Sequence, residues 1–106
     1  MKTMEIHIPE EIKHYEPELR LFFDLMITKL HLNRSKGFIE DHSLADLYNA
    51  FFSEVNELSE AHENRGKEPG EHSQFDYALE CVDVSNLSFL MALAVLRKTK
   101  EEFERE

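Results

Sequence analysis

Apolar residues recur at helical spacing in three separate segments of this chain. The first segment begins at Pro17, which suits the first turn of a helix, and its apolar stripe comprises Leu19, Phe22, Phe23, Met26, Ile27 and Leu30. The second begins at Ser43, which resembles a capping box with Asp46, and comprises Leu44, Leu47, Phe51, Val55 and Leu58. The third follows a potential cap at Ser73 and comprises Phe75, Leu79, Val82, Phe89, Leu90, Leu93 and Leu96. We predict helices near 17–36, 43–63 and 73–99.

The segments between and beyond these stripes contain residues that interrupt helices. Gly37 is placed to stop the first helix, and residues 64–72 contain two Gly and one Pro, which is typical of a mobile connection. Residues 1–15 and 101–106 are expected to be peripheral. In the first of these, Ile6–Ile8 is a candidate short extended piece before Pro9, and the charged tail is expected to fray.

This pattern predicts an all-α protein: one domain over residues 1–106, with a core at about 17–99 that forms a bundle of three main helices. Such helices bury only part of their apolar surface against one another. The third helix is apolar nearly all round for about four turns. We therefore expect the bundle to be completed by oligomerisation, as a homodimer or homotetramer.

The location of the chain is predicted from its apolar runs and its cysteine. Leu87–Leu96, the most apolar run, is too short to cross a bilayer, and Met1–Glu18 has charge throughout and no apolar region of a signal peptide. Cys81 is alone, so no internal disulfide can form, which suits a reducing compartment. We expect a cytoplasmic protein that does not bind a membrane.

The charge of the chain limits its partners. With 22 acidic and 12 basic residues the formal net charge is −10. Duplex DNA or RNA would be repelled by this field, so duplex nucleic acid is not an expected partner. An acidic protein that handles phosphates is expected to do so through a cation.

The candidate chemistry lies in two pairs of acidic residues. Asp83 is the only charged residue between Glu80 and Arg97, and an ionised carboxylate in such apolar surroundings costs several kcal/mol unless it is compensated. Glu80 projects from the same helical face, and Glu54 and Glu57 form a matching pair on the second helix. We expect the two pairs to converge, although pairs with this spacing also occur on solvated helices.

The type of ligand in this predicted cluster indicates the metal. Four carboxylates without His or Cys favour a hard cation, Mg²⁺ or Mn²⁺, over Zn²⁺. Di-iron bundles add Glu-x-x-His motifs, which neither helix contains. Glu54, Glu57, Glu80 and Asp83 are therefore predicted to bind Mg²⁺, with Mn²⁺ as a substitute.

The order and spacing of these residues resemble a known family. Glu54-x-x-Glu57, followed by Glu80-x-x-Asp83, looks like the signature of the all-α nucleoside triphosphate pyrophosphatases, which include MazG-like proteins, dimeric dUTPases and dCTP pyrophosphatases. Upstream, Lys29-Leu30, Asn33 and Lys36-Gly37-Phe38 resemble a MazG-like segment, and downstream the Asn after the metal-binding Asp is matched by Asn86. The resemblance covers about residues 22–96. Two positions depart from it, because Ser53 replaces a frequent acidic residue and Phe38 a frequent Trp.

The resemblance implies an activity and assigns roles. It implies Mg²⁺-dependent hydrolysis of a nucleoside triphosphate between the α- and β-phosphates, giving a nucleoside monophosphate and pyrophosphate, in nucleotide-pool sanitation. The catalytic and metal-binding residues would be Glu54, Glu57, Glu80 and Asp83. Substrate contacts would come from Lys29, Asn33 and Lys36 on one face of the first helix, from the Phe38 ring and from Asn86. For Lys29, Asn33 and Lys36 the alternative is a solvated face, and for Asn86 a buried amide bonded to its own helix neighbours.

Two other functions stay open on the sequence alone. One is a phosphoribosyl-ATP pyrophosphohydrolase-like enzyme, which differs in substrate but uses the same metal chemistry. The other is a catalytically silent helical bundle that serves as an interaction module, in which Asp83 is paired with a cation such as Lys29 or Lys36. The base of the nucleotide and a role for the six His residues do not follow from the sequence.

Overall fold

Three long helices make up most of the chain. The structure, a computed structural model, describes residues 5–36, 42–65 and 71–104, with side chains throughout except at 35–36, 71–73 and 98–104. In order, the elements are a 3-10 helix at Glu10–Tyr15, α1 at Glu16–Leu32, a 3-10 helix at Asn33–Lys36, α2 at Leu44–Asn64 and α3 at Glu71–Glu104. Within those described ranges there is no strand. The all-α prediction with three main helices is confirmed.

The first predicted helix is shorter than expected. Pro17 lies in the first turn of α1, where the Arg20 guanidinium bonds the Glu16 carboxylate at 2.9 Å. The α-helix ends at Leu32, and the next four residues form a tighter 3-10 helix. Arg34 Nη1 donates a hydrogen bond to the His31 carbonyl at 2.7 Å, so a side chain satisfies one of the free carbonyls at this end. The prediction of one α-helix to Lys36 is wrong by this last turn.

The second helix begins as its sequence predicts. Ser43 is extended (φ −78°, ψ 160°), and its hydroxyl accepts a hydrogen bond from the Asp46 N–H at 3.1 Å. This bond satisfies one of the free N–H groups of the first turn, and Asp46 also places a negative charge at the positive end of the helix dipole. The helix then runs to Asn64, one residue beyond the predicted end.

The third helix is longer than predicted at both ends. It begins two residues before Ser73 and includes residues 101–104, which we expected to fray. Residues 100–104 are Lys, Glu and one Phe, without Gly or Pro, so helix propensity favours continuation. Gly37 and most of the predicted connection, residues 66–70, lie outside the described residues. Before α1, residues 5–9 have no regular structure, and Ile6–Ile8 is not a strand.

The α3 helix packs against both α2 and α1. Leu47 and Val82 are the two buried apolar side chains among the described residues, and Val82 is fully buried. Near the distal end of α2, the Tyr77 hydroxyl lies 3.2 Å from His62 Nδ1, which joins α2 to the start of α3. These contacts fix the register of α2 against α3, on which the candidate site depends.

Much of the apolar surface remains exposed. The accessible area is 9003 Å², against about 6,200 Å² for a compact monomer of this mass, and the radius of gyration is 16.6 Å, against about 13 Å. Several positions of the predicted apolar stripes face outward instead of inward. They are Phe23, Ile27, Leu44, Phe75, Phe89 and Leu96. The reason is geometric, because α1 and α2 each pack mainly against α3, so their far sides and the part of α3 that they do not cover stay exposed among the described residues.

One stretch of α3 is long and apolar enough to cross a membrane. It covers Gln74–Arg97, and its most apolar 18-residue window has mean hydropathy 1.7 and is 11% buried. The expectation was based on Leu87–Leu96 alone, whereas this longer stretch meets the criteria of length and composition. The same stretch contains Glu80 and Asp83, and charged side chains are costly at the centre of a bilayer. A core helix of a helical assembly meets the same criteria, so the finding is weak evidence for a membrane.

Candidate metal centre

Three carboxylates meet where α2 packs on α3. Glu54 and Glu57 lie three residues apart on α2, so they project from one face of the helix, and Glu80 faces them from α3. One carboxylate oxygen from each lies within 4.8 Å of the other two. Two ligands on opposite sides of a Mg²⁺ ion are about 4.2 Å apart. The three side chains are therefore close to the spacing that a single hard cation requires.

Two oxygen atoms of this cluster are buried without a partner. Oε2 of Glu54 and Oε2 of Glu80 are inaccessible and accept no hydrogen bond, whereas Glu57 is exposed. A buried carboxylate oxygen normally has a donor or a cation beside it, since leaving it bare costs free energy. The orphaned oxygens are the observation that fits a cation to this place.

The electrostatic state of Glu54 reflects the same crowding. The pKa of the Glu54 carboxyl is raised to about 7, first by burial and then by the negative charges of Glu57 and Asp83. Contact with the Glu57 carboxyl, which favours a shared proton, and the charge of Glu80 add to this. Every one of these influences disfavours the ionised form of Glu54 in the metal-free protein.

Glu80 differs from Glu54 in having a compensating cation. Burial raises the pKa of the Glu80 carboxyl, as do the charges of Glu57 and Asp83, but the nearby Lys29 ammonium lowers it. The α3 side of the cluster is thus partly neutralised by the protein, and the α2 side is not.

Asp83 lies beside the three glutamates but is not one of the converging group. Its Oδ1 is 3.4 Å from Lys29 Nζ on α1, with the two side chains 19% and 31% exposed respectively. It is close enough to raise the pKa of both Glu54 and Glu80. The structure therefore brings together Glu54, Glu57 and Glu80, with Asp83 adjacent and turned to an ion pair. The shorter Asp side chain and the presence of Lys29 account for this difference.

The predicted substrate residues are only partly described. Lys29 is half-buried in its ion pair, and Asn33 is exposed at the end of α1. Lys36 lies in the 3-10 helix, so the one-face spacing that linked it to Lys29 and Asn33 does not continue to it. The Lys36 side chain and the whole of Phe38 lie outside the described residues.

Asn86 is buried and holds two helices together. It is 5% exposed, and its Nδ2 donates a hydrogen bond of 3.2 Å to the Met26 carbonyl of α1, while Oδ1 has no partner. Asn86 is buried, as the alternative predicts, but the donor end of its amide bonds α1 and not its own helix neighbours. The acceptor end is left for another donor.

Two contacts that position the site were not predicted. The Asn86–Met26 bond has a backbone acceptor, which carries no signal in the side-chain pattern. The His62–Tyr77 contact joins the end of one helix to the start of the next across residues 66–70, and neither side chain shows a motif. The polar residue Asn86 within an apolar run was the one available signal for a tether.

Comparisons with known proteins found no match among family models, curated proteins or solved structures. The resemblance to MazG-like proteins therefore depends on the residues quoted above, and the family is a proposal.

Proposed function

We propose that this protein is a Mg²⁺-dependent nucleotide pyrophosphohydrolase of MazG-like fold. The observation that carries the proposal is the meeting of Glu54, Glu57 and Glu80 within 4.8 Å, with buried oxygens that no donor satisfies. Three carboxylates in a partly buried groove repel one another, and a divalent cation removes that repulsion at once. Oxygen ligands alone select Mg²⁺ or Mn²⁺.

The roles of the residues follow from their positions. Glu54, Glu57 and Glu80 would hold the cation, and Asp83 would join them when it turns from Lys29. When bound, Mg²⁺ supplies neutralisation of phosphate oxygens and an acidified water. One of the carboxylates would accept the proton of the attacking water, and Lys29 and Asn33, both near the end of α1, would bind the outer phosphates or the base.

The experiment that tests this proposal is a screen of nucleoside triphosphates with pyrophosphate release as the readout. Common and damaged nucleotides are incubated with the protein and Mg²⁺, with phosphoribosyl-ATP included to separate the related activity. We expect release of pyrophosphate together with the nucleoside monophosphate for at least one base, and none with a chelator present. Release of orthophosphate instead, or no product from any substrate, would contradict the proposal.

A second candidate, the catalytically silent helical module, is favoured by one specific observation. The Lys29–Asp83 ion pair is the arrangement that a purely structural role for Asp83 predicts. Metal binding separates the two functions, because a silent module gains no thermal stability from Mg²⁺ or Mn²⁺. A metal site stabilises the folded state by RT ln(1 + [L]/Kd), about 2.7 kcal/mol at one hundred times Kd.

The assembly that we propose is a homodimer or homotetramer, in the cytoplasm. Its support is the exposed apolar surface of all three helices and the excess accessible area of roughly 2,800 Å² over a compact monomer. A standard interface buries about 800 Å² on each partner, so the excess is enough for one or two such interfaces. A second copy is the occupant that this surface favours, because the carboxylates on α3 make burial in lipid costly.

A further inference from the structure

Lys29 is paired with Asp83, a carboxylate that the proposed metal would also bind. It reaches from α1 to Asp83 on α3, with Nζ 3.4 Å from Oδ1. Two further ion pairs, Lys13–Glu10 and Arg20–Glu16, each join residues within about one turn of the same helical segment. The Lys29 pair instead joins two helices and ends on a carboxylate beside the glutamate cluster.

The effect of Lys29 on the cluster is one-sided. Its ammonium lowers the pKa of Glu80, against the effect of the neighbouring negative charges. At Glu54, in contrast, every influence raises the pKa. A divalent cation at the meeting point of the three glutamates would supply the same neutralisation more strongly. Lys29 and the metal therefore act on the same charges and, at Asp83, on the same oxygen atoms.

We propose that Lys29 is a tethered counter-cation that competes with the divalent metal for Asp83 and is released when the metal binds. This inference rests on the proposed function, since it requires a metal at the cluster. An ammonium paired with a carboxylate is not available to a phosphate, and its flexible four-carbon stem lets it turn away once the pair is broken. Metal loading would thus free the lysine that binds phosphate, which couples the two ligands in that order.

The test is a metal titration of the Lys29→Met variant without nucleotide. Methionine keeps most of the length of the side chain but has no charge. If Lys29 competes with the metal, the variant binds Mn²⁺ roughly two- to fivefold more tightly than the unaltered protein, the gain expected from removing a partly exposed ion pair. If Lys29 instead helps to bind the metal, the variant binds Mn²⁺ more weakly than the unaltered protein. If Lys29 has a purely structural role, the Mn²⁺ affinity does not change. Equal or weaker Mn²⁺ binding would overturn the inference.

Two matched variants separate the position of Lys29 from its charge. Lys13→Met deletes a positive charge at the exposed Lys13–Glu10 pair, far along the chain from the cluster, and controls for the change in net charge. It is expected to leave Mn²⁺ affinity within about twofold, and a gain equal to that of Lys29→Met would overturn the inference. Lys29→Arg keeps the charge and is expected to bind Mn²⁺ no more tightly than the unaltered protein.

A second measurement uses the unaltered protein and does not depend on the folding of a variant. The rate at which an amine reagent modifies Lys29 is followed by mass spectrometry, with Lys13 as an internal reference. Mg²⁺ is expected to raise the Lys29 rate severalfold, and pyrophosphate added with excess Mg²⁺ to lower it again. A Lys29 rate that Mg²⁺ leaves unchanged would overturn the inference. If the unaltered protein binds neither Mg²⁺ nor Mn²⁺, the proposed function itself fails.

Discussion

Two regions of the molecule differ in opposite ways from a typical soluble domain. The groove between α2 and α3 buries polar atoms, and the outward faces of the three helices expose apolar side chains. In the groove, carboxylate oxygens of Glu54 and Glu80 are buried without partners. On the outward faces, large apolar side chains such as Phe52, Phe89 and Leu96 are between 46% and 66% exposed. A stable soluble domain places these groups the other way round. Each region is therefore incomplete, the groove lacking a positive charge and the faces lacking an apolar cover.

The two regions require two different kinds of partner. Uncompensated negative charge is neutralised by a small cation. An exposed apolar face is covered only by a second surface of several hundred Å². The two deficits adjoin along α3, since Val82 is fully buried between Glu80 of the cluster and Asp83, while Phe89 and Leu96 are exposed further along. If both are filled, assembly rigidifies the helix that carries Glu80 and Asp83.

The largest expected effect comes from removing a carboxylate from the groove. Glu80→Gln keeps the shape of the side chain and deletes a proposed ligand. We expect pyrophosphohydrolase activity to fall by roughly 10²- to 10³-fold, as when one electrostatic contact to a reacting group is lost. The metal-free protein is expected to be equally stable or more stable, because the buried charge of Glu80 and its repulsion by Glu57 are removed.

The control for this substitution is Glu63→Gln, an exposed residue of α2. It is expected to leave activity and melting temperature unchanged. Full activity of Glu80→Gln would mean that the groove is not the reaction site, whatever its charge.

The second effect is expected on the outward faces. Phe52 is 49% exposed and stacks edge-on with Tyr48, with ring centroids 4.9 Å apart, which makes an aromatic patch on α2. Phe52→Glu places a charge in this patch, and we expect it to shift the protein from dimer or tetramer to monomer at micromolar concentration. Sedimentation velocity measures this, with Tyr15→Glu as a control at an exposed residue of the first 3-10 helix. An unaltered protein that sediments as a monomer would refute the assembly.

The starts of α1 and α2 could be predicted from the sequence because local signals set them. Ser43 and Asp46 cap α2 through atoms three residues apart, and Pro17 marks the first turn of α1. The approach of Glu54 to Glu80 could also be anticipated, because each pair follows helical spacing beside an apolar stripe. These features depend on the sequence within about one turn of each residue.

The remaining features depend on which helices are neighbours. Apolar spacing predicts that Phe89 and Leu90 are both buried. Only the arrangement of helices around α3 decides that Phe89 is exposed while Leu90 is half-buried. Likewise Asp83 stood in the sequence as a bare charge, and either Lys29 or Lys36 was a candidate partner. The end of α1 at Leu32 places Lys29 on a regular helix that packs against α3, and that packing selected it.

The third expected effect is a dependence of stability on pH. Folding raises the pKa of Glu54 from about 4.5 to about 7, so the folded protein holds this proton more tightly than the unfolded chain does. The resulting stability is complete below pH 4.5 and is lost as pH rises through 7. Because Glu54 is partly exposed, we expect a loss of about 1–2 kcal/mol over this window, less than the full shift implies.

Melting of the metal-free protein between about pH 4.5 and 8 measures this loss, and Glu54→Gln should remove it while Glu63→Gln should not. Saturating Mg²⁺ reverses the sign, because ligands must be ionised and metal binding releases protons. A Glu54→Gln variant that keeps the slope of the unaltered protein would show that another group causes it.

The smallest expected effect concerns Asp83, where the two interpretations of the groove differ most in kind. Asp83→Asn keeps the shape and removes the charge, which leaves Lys29 without its partner. For a buried pair this would cost roughly 3–5 kcal/mol, but Lys29 is 31% exposed and can turn its ammonium to water. We therefore expect a metal-free loss of about 1 kcal/mol, partly offset because the charge that raises the pKa of Glu54 and Glu80 is also gone.

A loss of that size lowers the melting temperature by about 4–8 °C at most in a domain of this length. The decisive comparison is between this small loss of stability and the loss of activity, both measured on the same preparation of the variant. If Asp83 is a ligand that Lys29 guards, activity and Mn²⁺ affinity fall by far more than stability does. If Asp83 serves only to hold α1 on α3, stability falls by the same small amount, and the folded fraction keeps its activity and its Mn²⁺ affinity. The second result would assign the ion pair to the fold and leave the three glutamates as the whole of the site.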